Sequence, residues 1–276
     1  MKNAMVGRDS MPNLGIFGPP YRNVEAISTK WQASSLPPQG KALVWQIIDG
    51  QEQQDQFRWL ESRPFGLPLI IILPPAPHLE QAMPLLRYVN ALRPKAVLPN
   101  GSIATPRYMR NILSLPPRDF ARTITNYFVE RGLLESARIR GNVARILALA
   151  PRVSSISSLV QHLCTSRRTL GRHFATAGLP APSHWLQFSR LLYATTFLQH
   201  GNATVFQIAS RVGYPDGFTM SNQMKRVLGF RPSDIRTLLG WEWIVESWIK
   251  RKVLEGGIDH RLYGPVVQDY RSRRVD

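Results

Sequence analysis

Apolar residues along the chain fall into two regimes, and the change between them comes near residue 117. Before it, continuous apolar runs rich in branched side chains stand at 42–48 (ALVWQII) and 69–73 (LIIIL), each bounded by turn formers. Such runs predict strands buried on both faces of a parallel sheet. A shorter one at 96–98 ends on Pro99-Asn-Gly, and helical spacing occupies 51–61 and 79–92 between the runs. The alternation predicts a small α/β domain over 41–135. The preceding segment, 1–40, is rich in Pro, Gly, Ser and Asn and is expected to be poorly ordered or partial. Within it, 14–17 suggests a short strand and 23–31 a helix. From 117 onward apolar positions recur at three- and four-residue spacing, over 118–134 and 136–150, where Val143, Ile146, Leu147 and Ala150 form a face and Pro151 closes the helix. An all-α second domain is expected over 136–240, followed by a tail helix and basic extension over 241–276.

Two short helix pairs dominate the second half. In the first, 156–177 (ISSLVQHLCTSRRTLGRHFATA), a helix with Ile156, Leu159, Val160 and Leu163 inward is followed by a Cys-Thr-Ser turn. Ser166 then caps a helix that turns Leu170 and Phe174 inward and sets Arg167, Arg168, Arg172 and His173 largely on the other side. In the second, 204–228, Thr204 caps a helix with Val205, Ile208, Ala209 and Val212 inward, Gly213 turns the chain, and Tyr214-Pro-Asp-Gly leads into 218–228. Two short helices joined by a tight turn, the second exposing polar and basic residues, suit insertion of one helix in a major groove. Between the pairs, 183–199 predicts an amphipathic helix about 25 Å long, a strut able to hold two recognition helices about one DNA turn apart.

Charge sharpens this picture. The 276 residues carry 35 Lys and Arg against 18 Asp and Glu, a formal charge of +17. Over 151–236 the balance is ten basic residues to two acids, Asp216 and Asp234. Neutralising phosphates releases condensed counterions, so a polyanionic partner is favoured. The lone cysteine, Cys164, excludes an intramolecular disulfide and a multi-cysteine zinc site, and inside an amphipathic segment it is expected to be buried. No apolar run approaches the ~20 residues of a membrane span, and no signal-type segment follows the N-terminus, so a cytoplasmic protein without membrane partners is expected.

The order of these pieces over about 138–236 resembles the AraC/XylS family of transcription regulators. The matching residues are Ile156-x-x-Leu159-x-x-x-Leu163, Ser166-x-x-x-Leu170-x-x-x-Phe174, Pro182-Ser-x-Trp185-Leu, Val205-x-x-Ile208-Ala-x-x-Val212-Gly-Tyr214 and Leu228-Gly-Phe-x-Pro232-Ser. The resemblance implies a seven-helix domain with two helix-turn-helix motifs joined by a long helix, their recognition helices in successive major grooves of double-stranded DNA. Carried over by position, Arg168, Gly171 and Arg172 read bases from the first motif, with Arg167 and Thr169 on phosphates. Gly217, Phe218, Thr219 and Asn222 occupy reading positions in the second, with Lys225 and Arg226 near the backbone. Here the sequence departs from the family pattern. Asn222 stands where arginine is common, and Met220 and Met224 replace usual aromatics. The first motif is therefore expected to dominate specificity and the second to grip phosphate.

The first half resembles, more loosely, a response-regulator receiver domain. Aligning 42–49 with the central strand of that fold puts Gln46 at the phosphoacceptor position, Asp49 near it, and Pro99-Asn100 where Lys-Pro is expected. An amide cannot accept a phosphoryl group as a carboxylate does, so a degenerate receiver used for packing or dimerisation is implied. Chemistry of an enzymatic kind is thin. His78 with Glu80 in a Pro-rich loop forms neither metal site nor triad, and there is no phosphate-binding Gly-rich loop. No enzyme activity, metal or cofactor is expected. Trp241, Ile244, Val245, Trp248 and Ile249 share one side of a tail helix that packs on its own domain, a dimer or RNA polymerase contact being the alternative. Arg271-Ser-Arg-Arg at the end adds attraction to DNA. Two other readings stand beside site-specific regulation. One is a nonspecific nucleoid-type DNA binder whose first domain serves dimerisation. The other is an enzyme or sensor with a vestigial DNA domain.

Overall fold

A computed structural model of the protein describes residues 13–27, 39–47, 53–74, 83, 89–99 and 104–259. The described residues form two compact units. One holds those up to Ser114 together with Thr237–Trp243; the other holds Leu115–Arg236 and the residues from Ile244.

The first unit is built on a five-stranded mixed sheet in the order β2-β1-β3-β4-β5. Its strands are β1 Leu14–Phe17, β2 Val24–Ala26, β3 Ala42–Gln46, β4 Leu69–Ile72 and β5 Ala96–Leu98. Strands β3, β4 and β5 run parallel, with Leu43 beside Leu69 and Ile70 beside Ala96. The two-residue period of a strand sends Leu43, Trp45, Leu69 and Ile71 to one face and Ala42, Val44, Ile70 and Ile72 to the other. Helix α1 (Gln53–Glu61) contributes Leu60 to the first face, and α2 (Pro106–Ser114) contributes Met109 and Leu113 to the second. Both faces are covered, as the unbroken apolar runs require.

Three expectations change here. The sheet is not wholly parallel: β1 pairs antiparallel with both β2 and β3, Phe17 facing Val24 on one side and Ala42 on the other. A doubly wound receiver sheet shares the strand order 2-1-3-4-5 but runs parallel throughout. The helix expected at 23–31 is instead strand β2 over its described part, because Val24–Ala26 pair with β1. Segment 13–27 is likewise ordered structure, since Leu14 and Ile16 fill one face of the sheet and Phe17 and Tyr21 the other. Of the expected helix at 79–92, Val89–Leu92 forms a 3₁₀ turn and most of the rest lies outside the described residues, as do Asp49, His78, Glu80, Asn100 and the Arg271 run. Gln46 is the last residue of β3.

The second unit is helical: α3 Phe120–Glu130, α4 Ala137–Leu149, α5 Ile156–His162, α6 Arg167–Thr176, α7 Pro182–His200, α8 Val205–Arg211, α9 Gly217–Val227, α10 Pro232–Thr237 and α11 Glu242–Leu254, whose residues from Ile244 belong here. Helix α7 starts with Pro182 at its first turn and, at 19 residues, is about 28 Å long. It is buried on nearly every side, so it is the core of the unit rather than the one-sided amphipathic strut expected. Trp185 of α7 meets Phe128 of α3 and Trp248 of α11, both edge-on at 4.9 Å, and Phe188 stacks on Trp248 at 4.1 Å. Ile244, Val245, Trp248 and Ile249 are fully buried, which places that side of the tail helix in its own domain. Glu246 accepts from Tyr127 Oη at 3.0 Å and pairs with Arg131 at 3.1 Å.

The segment Thr237–Trp243 completes the sheet unit. Leu239 enters the core beside Met109 and Leu113, and Glu242 pairs with Lys95 at 2.6 Å. The Tyr21 hydroxyl donates to the Gly40 carbonyl at 2.5 Å and accepts from the Leu239 amide at 2.7 Å. Burial pushes its pKa from 10.0 up to about 12. A raised folded value means that the stabilisation is full below pH 10 and is lost as pH climbs toward 12. Tyr21→Phe leaves the buried Leu239 amide unpaired, and we expect a loss of about 1–3 kcal/mol near neutral pH. In denaturant titrations across the alkaline range, the variant should also lose part of the wild-type decline in stability between pH 10 and 12. An identical alkaline profile in the variant would assign that decline to other groups.

Candidate nucleic-acid interface

Each of the four short helices that matter here is capped by its own sequence. Ser155 accepts from the Ser158 amide at 3.1 Å, Ser166 from Thr169 at 3.0 Å, and Asp216 from Thr219 at 2.7 Å. At α8 a full capping box forms, Thr204 and Gln207 bonding each other's amides at 2.9 and 3.2 Å. These bonds satisfy amides that the first helical turn leaves free.

Between α5 and α6 the turn passes through Cys164, which takes a left-handed conformation (φ 50°) and is exposed. This corrects the expected buried thiol: a residue at that point of a tight turn directs its side chain away from the core. In α6, Leu170 and Phe174 are buried, Phe174 lying 6.1 Å from Trp185. The opposite face carries Arg168, Gly171 and Arg172 at i, i+3 and i+4, both arginines exposed. Neither guanidinium has a hydrogen bond or ion pair among the described residues. A Cβ built on Gly171 meets nothing within 4 Å, so packing does not require glycine there. Arg167 behaves differently and donates to Ser157 Oγ on α5.

The second motif turns at Gly213, whose φ of +74° is a conformation that side chains resist. In α9, Met220 and Met224 are fully buried, filling the places expected for aromatics. Phe218, 77% exposed, shares the outer face with Asn222, Lys225 and Arg226, all exposed. Asn222 has no side-chain partner among the described residues. Lys225 reaches the Gly229 carbonyl at 3.4 Å and Arg226 donates to Gln223 at 2.8 Å. Gly217 has a packing reason, since a Cβ there would come within 3.2 Å of Val205 and 3.3 Å of the Phe206 amide.

The two caps differ electrostatically. Ser166 Oγ donates to Thr169 Oγ1 at 2.9 Å, which leaves the Thr169 hydroxyl hydrogen available to an outside acceptor. Thr219 donates its own hydroxyl to Asp216 at 2.8 Å, so its hydrogen is committed. The hydrogen bonds from Thr219 hold the Asp216 carboxyl below its ordinary value. The N-terminus of α6 therefore carries Arg167 and Arg168 and no acid, whereas that of α9 carries a fixed negative charge.

Two further residues were not anticipated. Phe206 of α8 is 66% exposed, near the start of α9. Arg190 is buried in α7, where it holds backbone carbonyls. Its signal was present: it is the sole Lys or Arg in the apolar run of 182–200, and a charge so placed must find partners. Among the described residues no cluster of potential metal ligands occurs, and no helix is long and apolar enough to cross a membrane.

Two capped helix pairs around a shared buried helix define the second unit as a helix-turn-helix domain. Residues 159–237 match the model of a family described as a helix-turn-helix domain. Over 82 residues the chain is 35% identical to a putative AraC-like transcription regulator of Streptomyces lividans, an alignment covering 30% of this chain and 27% of that protein. A solved structure, the DNA-binding domain of the global transcriptional factor AdpA in complex with a target DNA, is 28% identical, with coverage of 35% of this chain and 86% of that one and a TM-score of 0.32.

The open space above Gly171 generates a test of local packing. Gly171→Ala replaces a helix-interior glycine without a clash and should stabilise the domain by about 0.5–1 kcal/mol in thermal or denaturant melts. A loss of that size instead would mean that the position is crowded.

Proposed function

We propose that the protein is a site-specific DNA-binding transcription regulator whose helical unit lays α6 and α9 in successive major grooves of one duplex. The observation that carries this reading is the outer face of α6, where Arg168, Gly171 and Arg172 stand together with neither guanidinium bonded among the described residues. A guanidinium can bond guanine O6 and N7 at once, and such a bidentate pair contributes about 1–3 kcal/mol of base discrimination. The helix-turn-helix family match and the likeness to an AraC-like regulator support the same assignment. Arg167 and Thr169 contact phosphate at the edge of the same helix. In the second motif, Phe218 offers an apolar face to a thymine methyl, Asn222 an amide to adenine, and Thr219 its methyl, while Gly217 starts the helix and lets it pack against α8. Lys225 and Arg226 hold phosphate there, so the two motifs divide the work unequally.

The sheet unit serves packing or self-association and has no phosphotransfer role on this reading, because β3 ends in Gln46 rather than a carboxylate. Incubation with a small phosphodonor should leave the chain unlabelled; labelling abolished by Asp49→Ala would overturn this. DNA recognition is tested with duplexes selected from a random-sequence pool by the full chain. Arg172→Ala should weaken binding to the selected sequence by about 5- to 150-fold while changing binding to mixed-sequence DNA far less. Lys225→Ala should weaken both similarly and reduce the salt slope by about one. Equal losses on both DNAs for Arg172→Ala, or failure of the pool to yield a shared motif, would favour a nonspecific nucleoid-type binder instead.

A further inference from the structure

We propose that Arg190 is a positioning residue that locks the two helix-turn-helix motifs in one relative orientation. It lies at the middle of α7, the helix both motifs share, and is 8% exposed. Its Nε donates to the Val212 carbonyl at 2.8 Å and its Nη2 to the Gly213 carbonyl, the two residues that end α8 and turn the chain toward α9. Its Nη1 reaches the Ser154 carbonyl at 3.4 Å, immediately before the residue that caps α5. One planar group thus binds the turn of the second motif and the entry of the first. The Tyr214 ring lies 4.2 Å from the guanidinium carbon, and the tight backbone at Gly213 brings a hypothetical Cβ within 3.1 Å of Nη2.

The surroundings make this group decisive. A cleft of about 370 Å³ is lined by Ser154 and Ile156 from the first motif, Gln187 and Arg190 from α7, and Tyr214 and Gln223 from the second. Apolar packing therefore does not close the space between the motifs at this point. What crosses it is the guanidinium, supported by the bond from Gln187 to Gln223 at 2.5 Å. Lysine cannot substitute, because its three donors radiate from one nitrogen and cannot span carbonyls set apart in a plane. The importance for DNA rests on the function proposed above, since two recognition helices reach successive grooves only at a fixed spacing. The lock itself is a property of the free protein.

The experiment therefore uses no DNA. In the full chain with Cys164→Ser, nitroxide labels at Arg172→Cys and Asn222→Cys report the separation of α6 and α9 by pulsed electron resonance. One narrow distance is expected with Arg190 in place. Arg190→Lys and Arg190→Met should at least double the width of that distribution, or add a second distance, while the far-ultraviolet circular dichroism keeps its helical signal. Gly213→Ala attacks the same contact from the other side and decides the matter should the Arg190 variants unfold. An unchanged narrow distribution in the folded variants, or a broad one already present with Arg190, would overturn the proposal. Because the distances are read without DNA, failure of the random-pool selection described above would count against the proposed function and leave the lock untouched.

Discussion

The contact of Trp185 with its aromatic neighbours is the interaction on which the helical unit depends. Helices α5 and α8 are seven residues long, and α6 and α9 ten and eleven. Helices of such length are marginal in water and owe their stability to tertiary packing. Here that packing converges on α7, where Trp185 and Phe188 meet Phe128, Phe174 and Trp248 from three other helices. Phe174 anchors α6, so the face bearing Arg168 and Arg172 is aimed by the opposite side of its own helix. Caps fix where each short helix begins, and the aromatic cluster fixes how it lies.

Much of the helical unit was legible in sequence because its signals are local. Ser166 and Thr204 cap over three residues, and Leu170 with Phe174 makes an i, i+4 pair; all can be read in a short window. The strands at 42–46 and 69–72 were legible for a similar reason, being apolar without interruption. Strand direction was not, because pairing of Leu14 with Trp45 and of Phe17 with Ala42 is a long-range choice that no local pattern records. Cys164 misled because an amphipathic average conceals one left-handed residue in a turn. For the site, the outward arginines of α6 followed from helical spacing, whereas the residues singled out on α9 came from the family resemblance. Arg190 did not, since its partners at Ser154, Val212 and Gly213 become neighbours only after folding.

The two motifs share a framework and differ in their chemistry. In the first, cations flank a neutral cap, and Arg168 and Arg172 on the outer face make no bond among the described residues. In the second, a carboxylate occupies the cap, an exposed phenyl ring projects beside it, and the cations of the last turn are engaged with Gly229 and Gln223. Framework and outer-face chemistry can vary independently because they occupy opposite sides of the same helix. Met220 and Met224 can fill aromatic positions without disturbing Asn222, since flexible thioethers adapt to irregular core space.

The hydroxyl of Tyr21 has a bearing on the order in which the molecule is made. It bonds an amide 218 residues further along the chain, and Leu239 fills core space that α2 leaves open. A ribosome must therefore synthesise both helix-turn-helix motifs before the first unit receives its last piece. Until then the place that Leu239 fills in the core stands open, and the Tyr21 oxygen lacks the amide that donates to it. A chain interrupted just after Arg236 would contain every residue of α6 and α9 and still lack a finished sheet unit. The sheet unit, though most of it precedes both motifs along the chain, thus closes only after they are made.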